Sequence, residues 1–313
     1  MIVTLTLNPS VDRTIEVQAL ERGAVIRATG EHVHAGGKGI NVTRALAGHG
    51  SKSRAVLPVG GSEGKQLVNM LADQGVELLE VAVGNPARCN ITVSEPDGTV
   101  TKINSLGQPL TVEETEALCT AVLSCVNEAS WFVAGGSLPR GVPDSFYAEL
   151  IGRLRPSGVP VAVDTSGPPL TVAIASGPAL VKPNREELEA AVERELNTLG
   201  DIVEAARELR RMGAETVLAS LGADGAVLVD KDGAWHGEAP TVRRSAVGAG
   251  DAMLAGFLYG GAVGPPALAT ALAWGAAAAS LPGSRMPLPE DLRTELVCVH
   301  QEIERSRQLS ERH

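Results

Sequence analysis

The chain has 313 residues, 44% hydrophobic and 20% charged, a balance that fits a globular fold with a sizeable core and excludes wholesale disorder. With 27 basic against 37 acidic residues the net charge is −10, so nucleic acid and anionic membranes are poor partners. An anionic ligand would need a local cluster of cations.

The opening "MIVTLTLNPS" has no basic leader and reaches Asn8 too soon for a signal peptide or a membrane span, which predicts a cytoplasmic protein. Cys89, Cys119, Cys125 and Cys298 lack C-x-x-C spacing and read as reduced thiols. In chain order, "IVTLTL" (2–7), "SRAVLPV" (53–59), "WFVAG" (131–135), "VPVAVD" (159–164), "ALVKPN" (179–184) and "ETVLAS" (215–220) read as buried strands. Each is bounded by Gly, Pro or Asn and followed by a helical pattern. Thr111 and Glu114 open one such helix as a capping box. Strand and helix in repetition predict an α/β fold, a mostly parallel sheet flanked by helices on both faces.

Two stretches break that rhythm. Residues 12–34 and 88–105 alternate apolar and polar residues around turn signals, including "PDG" at 96–98. They predict a small antiparallel β lid, inserted in two pieces into a single α/β domain spanning 1–313.

Ligands of open α/β sheets bind beyond the carboxyl ends of the strands, so the loops there carry the chemistry. "HAGGKGINVTRAL" (34–46) is a glycine cluster with Lys38 before a helix, a cradle in which amides and an ammonium can meet an anion. "VKPNREEL" (181–188) offers Asn184 and Glu187, which make either a helix cap or a pair of groups ordering the water shell of magnesium. "SLGADGAVLV" (220–229) reads as strand, glycine turn and strand, either an ordinary hairpin or a floor beneath a nucleotide. "GAGD" (248–251) places the amides of Gly248, Ala249 and Gly250 at a helix start with Asp251 in the first turn. A carboxylate aimed at an anion site is electrostatically unfavourable unless it accepts a proton from an attacking hydroxyl; the plain alternative is an acid favoured by the helix dipole. "GGSEGKQ" (60–66) has the wrong spacing for a P-loop, and the His residues, "HVH" at 32–34 included, lack metal-site spacing.

Taken together and in this order, "GGKGIN", "KPNREE", "SLGADG" and "AVGAGD" resemble the PfkB family of ribokinase-type sugar kinases over roughly residues 1–285. The resemblance implies a ribokinase-like fold and transfer of the ATP γ-phosphoryl to a primary hydroxyl of a ketohexose monophosphate. "TLNPSVDRTIEV", "TKIN", "GSLPRGVP" and "VDTSG" are most similar to the branch acting on fructose 1-phosphate; tagatose 6-phosphate and fructose 6-phosphate are the alternatives. The lysine in "GGKG" argues mildly against the last.

By the same resemblance, Asp251 is the catalytic base and Gly248, Ala249 and Gly250 form the anion hole. Asp12, Gly37, Lys38, Asn41 and Asn90 bind the sugar. Because an acidic surface needs a local cluster of cations to accept a dianion, Arg27, Arg88, Lys38 and Lys102 are the candidates for its phosphate; the alternative for each is a solvated charge on an exposed lid. Lys182, Asn184, Ser220, Gly222 and Gly225 take ATP, with Asn184 and Glu187 holding Mg2+ through water. Residues 276–286 lie where some members bind a monovalent cation, and the lid is a candidate homodimer interface. At its ordinary pKa of about 3.9 Asp251 would be a weak base, tolerable because phosphoryl transfer depends mainly on positioning and charge stabilisation. A sugar-phosphate sensor without catalysis is the competing reading, and retention of Asp251 among the other motifs argues against it. A dinucleotide-dependent oxidoreductase fails for want of G-x-G-x-x-G after the first strand.

Overall fold

The computed structural model describes residues 1–310 with the exception of Arg243 and Ala246. The chain runs β1 (Ile2–Thr6), β2 (Ser10–Glu16), β3 (Gly30–Gly36), α1 (Lys38–Gly48), β4 (Ser53–Val59), α2 (Gly61–Ala72), β5 (Glu77–Ala82), β6 (Arg88–Ser94), β7 (Val100–Ile103), α3 (Val112–Ser124), β8 (Trp131–Gly135), α4 (Phe146–Leu154), β9 (Val161–Asp164), α5 (Pro168–Ile174), β10 (Leu180–Val181), α6 (Arg185–Val192), α7 (Leu199–Met212), β11 (Thr216–Ser220), β12 (Ala226–Val229), β13 (Ala234–Glu238), α8 (Ala249–Tyr259), α9 (Gly264–Ser280) and β14 (Cys298–His300).

Among the described residues, ten strands form one sheet in the order β14-β13-β12-β11-β10-β9-β8-β1-β4-β5. From β5 to β11 every pairing is parallel; β12, β13 and β14 extend that edge antiparallel. Side-chain alternation on these strands fills two cores at once. Val3, Leu5, Phe132, Val163 and Val217 face one layer, packed by Leu118, Tyr147, Leu150, Leu170 and Leu209 of α3, α4, α5 and α7. Ile2, Val133, Ala162, Leu180 and Leu218 face the other, packed by Val42 and Leu46 of α1 and by Leu254, Phe257 and Trp274 of α8 and α9. The helices predicted on both faces are therefore present, and the motifs lie at the carboxyl ends of the parallel strands.

The second sheet has the order β3-β2-β6-β7. It consists of two antiparallel hairpins, β2 with β3 and β6 with β7, joined along β2 and β6 in parallel register. Ser10, Asp12 and Thr14 thus share a face with Arg88, Asn90 and Thr92, their register partners. Val11 and Ala35 anchor the sheet on Ile40, Leu57, Leu67 and Leu71 of α1, β4 and α2. No helix among the described residues is long and apolar enough to cross a membrane, and Cys89, Cys119, Cys125 and Cys298 are free thiols.

Candidate active site

Three helix starts meet at the carboxyl ends of β1, β8, β9 and β10. α1 begins behind Gly37, whose φ of 133° lies outside the range of L side chains and whose missing Cβ would lie 2.7 Å from Thr6 Cγ2. The Thr6 hydroxyl accepts from the Ile40 amide at 3.1 Å, so the end of β1 caps α1 and fixes the direction of Lys38. Lys38 Nζ donates to Asp164 Oδ1 at 2.6 Å and to Glu187 Oε1 at 3.4 Å. Asp164, the last residue of β9, is 1% exposed, and its other oxygen lies 3.2 Å from Lys182 Nζ. A Cβ added to Gly250 would fall 3.1 Å from the same Nζ, which places Lys182 against the first turn of α8.

Asp251 sits in that turn, 8% exposed, with Oδ2 accepting from Asn41 Nδ2 at 2.8 Å. Ala249, Gly250 and Asp251 open α8, so their N–H groups have no partner within the helix, and the buried carboxylate shares this end with a donor-rich surface. The first residue of the "AVGAGD" motif, Ala246, lies outside the described residues. Burial, and then the charge of Asp164, push the Asp251 carboxyl up to about 6; Lys38, the Asn41 hydrogen bond and Lys182 oppose them. The ordinary acidity expected from sequence is therefore corrected, because the Asp251 side chain is buried and a second carboxylate, Asp164, acts on it. Asp164 shifts the other way: burial would raise it, and Lys182 and Lys38 together hold it below the usual carboxylate range. Burial would likewise lower Lys38, but Asp164, Glu187 and Asp251 raise it, so it stays an ammonium.

At the base of the small sheet, Asp12 Oδ1 accepts from Ser10 Oγ at 2.7 Å and from Asn90 Nδ2 at 2.9 Å. Arg88 donates from Nε to the Asn8 carbonyl at 3.2 Å and from Nη1 to the Ser105 carbonyl at 3.0 Å. Asn8 Nδ2 in turn donates to Ser137 Oγ at 3.2 Å. Of the four cations expected at the phosphate, Lys102 shares a face of the small sheet with Arg88, through its register partner Thr92. Arg88 stands beside Asn8 and Ser105, Lys38 pairs with Asp164 and Glu187, and Arg27 and Lys102 are exposed. The two carboxylates on Lys38 come from positions distant in sequence.

On the other side, Asn184 and Glu187 form a reciprocal capping box on α6, with Asn184 Oδ1 accepting from the Glu187 amide at 2.8 Å and Glu187 Oε2 from the Asn184 amide at 2.9 Å. The cap read from sequence is made. Ser220 bridges to Asn184 through the backbone, and Gly222 (φ 61°) and Gly225 (φ 79°) turn the chain from β11 into β12. Asp224 within that turn accepts from the Ser310 amide at 2.8 Å and hydroxyl at 2.9 Å. Sequence reasoning missed Asp164 and Arg44. The signal for the first is an acid closing the buried strand "VPVAVD"; for the second, an arginine on the apolar face of "INVTRAL".

The sequence pattern described as "pfkB family carbohydrate kinase" matches residues 5–286. A 1-phosphofructokinase from Rhodobacter capsulatus is 36% identical over 301 residues, 93% of this chain and 94% of that protein. The ATP-dependent 6-phosphofructokinase isozyme 2 of Escherichia coli K12 is 39% identical over 258 residues, 81% of this chain and 83% of its own length. The crystal structure of Escherichia coli phosphofructokinase-2 in complex with substrates and products superposes with a TM-score of 0.88 at 35% identity, covering 94% of this chain and 97% of that one. Arabidopsis thaliana ribokinase shares the fold, with a TM-score of 0.75 at 21% identity over 93% of this chain and 96% of its own. With relatives of this identity over most of its length, the chain belongs to the pfkB family of carbohydrate kinases and is an enzyme that transfers a phosphoryl group to a sugar hydroxyl.

Proposed function

We propose that the chain transfers the γ-phosphoryl of ATP to the free primary hydroxyl of a ketohexose monophosphate, with fructose 1-phosphate preferred over tagatose 6-phosphate and fructose 6-phosphate. The observation that carries this reading is Asp251: a buried carboxylate at an open helix N-terminus, one oxygen fixed by Asn41 and two ammonium groups acting on it. The sugar hydroxyl oxygen attacks the γ-phosphorus, its proton passes to Asp251, and the bond to the β–γ bridging oxygen breaks to release ADP. A carboxyl raised to about 6 is a better base than an ordinary aspartate and is still ionised near pH 7.

Charge on the moving phosphoryl group meets the amides of Ala249 and Gly250 and the Lys182 ammonium beside them. Lys38 faces the same space from α1. Asp12 and Asn90, hydrogen-bonded to each other, hold sugar hydroxyls in this reading, and Arg88, bonded to the Asn8 carbonyl, holds the substrate phosphate. Ser220, Gly222 and Gly225 border the nucleotide side.

The residues suit magnesium held through water. Both Asn184 Oδ1 and Glu187 Oε2 are taken by the cap, Glu187 Oε1 faces Lys38, and the described residues contain no cluster of three His, Cys, Asp or Glu side chains fit to hold a metal directly. A magnesium ion held there would supply positive charge against the charge developing on the phosphates. The buried Ser284 hydroxyl has no hydrogen-bond partner, a feature a monovalent cation would satisfy, and activity with and without potassium chloride decides that part of the reading. A homodimer through the small sheet, where Val100 and Ile103 are exposed on opposite faces of β7, is tested by sedimentation.

The substrate is tested by steady-state kcat/KM on the three sugar phosphates in parallel with Mg-ATP. A preference of about 100-fold for fructose 1-phosphate is expected. Preference for another of the three would move the substrate, and tight binding without turnover would replace the kinase by a sensor.

A further inference from the structure

Arg44 is 7% exposed in the middle of α1, yet none of the ion pairs among the described residues includes it. A buried arginine ordinarily has a carboxylate partner. Here the guanidinium meets neutral oxygens: Nε donates to Gln74 Oε1 at 2.7 Å, and Nη1 to the Ala35 carbonyl at 3.3 Å and to Asn41 Oδ1 at 3.0 Å. Its charge stands near those of Asp12 and Asp251 without touching either.

We propose that Arg44 is a positioning residue that fixes the orientation of the Asn41 carboxamide and, through it, the Asp251 carboxylate. The step rests on the reading of Asp251 as the base. A guanidinium has donors only, so Asn41 must turn its oxygen toward Arg44 and its NH2 toward Asp251. That NH2 holds Asp251 Oδ2 at 2.8 Å and leaves Oδ1 for the sugar hydroxyl. Were Asn41 reversed, an amide oxygen would face the carboxylate and push it out of line. Spacing of three on one helix puts Asn41 and Arg44 on the same face, and the other bonds of the fork reach β3 of the small sheet and the turn that follows α2. One side chain thereby ties the base to the sheet that carries Asp12. Arginine, not lysine, suits the task because its planar fork reaches several acceptors at once.

The test is a double-mutant cycle of Arg44→Met, Asn41→Ser and the pair, with Mg-ATP and fructose 1-phosphate. Each single change is expected to lower kcat between about 10- and 100-fold, as a misplaced reacting group does, with KM for ATP within about twofold. The pair is expected to fall no more than about twofold below the worse single, since both act on one carboxylate. Losses that multiply would overturn the proposal, as would Arg44→Met with wild-type kcat. Arg44→Lys, which keeps a donor, is expected to recover part of the loss. Should Arg44→Met not fold, Arg44→Gln replaces it in the cycle, because glutamine can present an oxygen as well as an amide and no longer dictates the flip. If the wild-type protein turns over none of the sugar phosphates, the kinase reading fails on its own, and the Asn41 side-chain amide resonance, assigned by its loss in Asn41→Ser, decides the positioning. It is expected to move toward the solvent-exposed amide position in the Arg44 variant, and an unchanged resonance would overturn the proposal.

Discussion

Replacing Asp251 by Asn is expected to make the protein more stable while removing most of its activity. Folding raises this carboxyl from 3.8 to about 6, chiefly by burial and by the charge of Asp164. Above pH 6 the native state therefore carries an ionised group that the unfolded chain accommodates more easily, at a cost of about 3 kcal/mol. As pH falls through 6 the native state takes up a proton that the unfolded chain does not, and the cost shrinks to nothing near pH 4. Asn keeps the shape and an acceptor for Asn41 Nδ2 but carries no charge. Thermal unfolding at pH 8 should thus show Asp251→Asn melting about 4 °C higher, a gain that fades by pH 4. Turnover should fall about 100-fold or more. Stability is the cleaner readout, because the second ionisation of a sugar phosphate also lies near 6 and overlaps any limb in a rate profile. A variant no more stable than wild type at pH 8, or equally stabilised at pH 8 and pH 4, would refute the account of a carboxylate held at a cost.

Asp164→Asn should act in the opposite sense, leaving Lys182 and Lys38 without their buried counter-ion and costing about 3–5 kcal/mol at pH 7. Because the folded Asp164 carboxyl lies below its ordinary value, that contribution is present above about pH 4 and is lost as the pH falls further, which thermal unfolding between pH 3 and 7 would show. Arg88→Ala is expected to raise KM for the sugar phosphate by about 10- to 100-fold with KM for ATP unchanged, the size of a lost charged hydrogen bond. Gly225→Ala would set a Cβ 1.9 Å from the Gly237 carbonyl at a φ of 79°, and urea unfolding should show a loss of about 2 kcal/mol or more.

What was legible in the sequence was what is local. The caps at Thr111 with Glu114 and Asn184 with Glu187 need only three residues of separation, and both form as expected. The buried strands announce themselves by β-branched runs, and the glycine loops fall at their carboxyl ends because the topology of parallel sheets requires it. β5 escaped notice: "ELLEVA" is a half-exposed edge strand with one acid on each face, Glu77 and Glu80, and does not read as a continuous apolar run. The parallel seam between β2 and β6 was also out of reach, since alternation reveals a hairpin but not which neighbouring hairpin it joins. Long-range electrostatics was the least legible. The ion pair of Lys38 with Asp164 spans 126 residues, and nothing in "GGKG" says that its lysine will be claimed by the acid ending "VAVD". The rise of the Asp251 carboxyl has the same origin, as it depends on burial and on a second acid brought near by folding.

The most direct measurement is 31P NMR of the wild-type protein with Mg-ATP and fructose 1-phosphate. ADP and a second sugar phosphomonoester signal are expected to grow in equal amounts, as fructose 1,6-bisphosphate forms. Growth of inorganic phosphate with no new sugar ester, or an unchanged spectrum with each of the three sugar phosphates, would contradict the kinase reading.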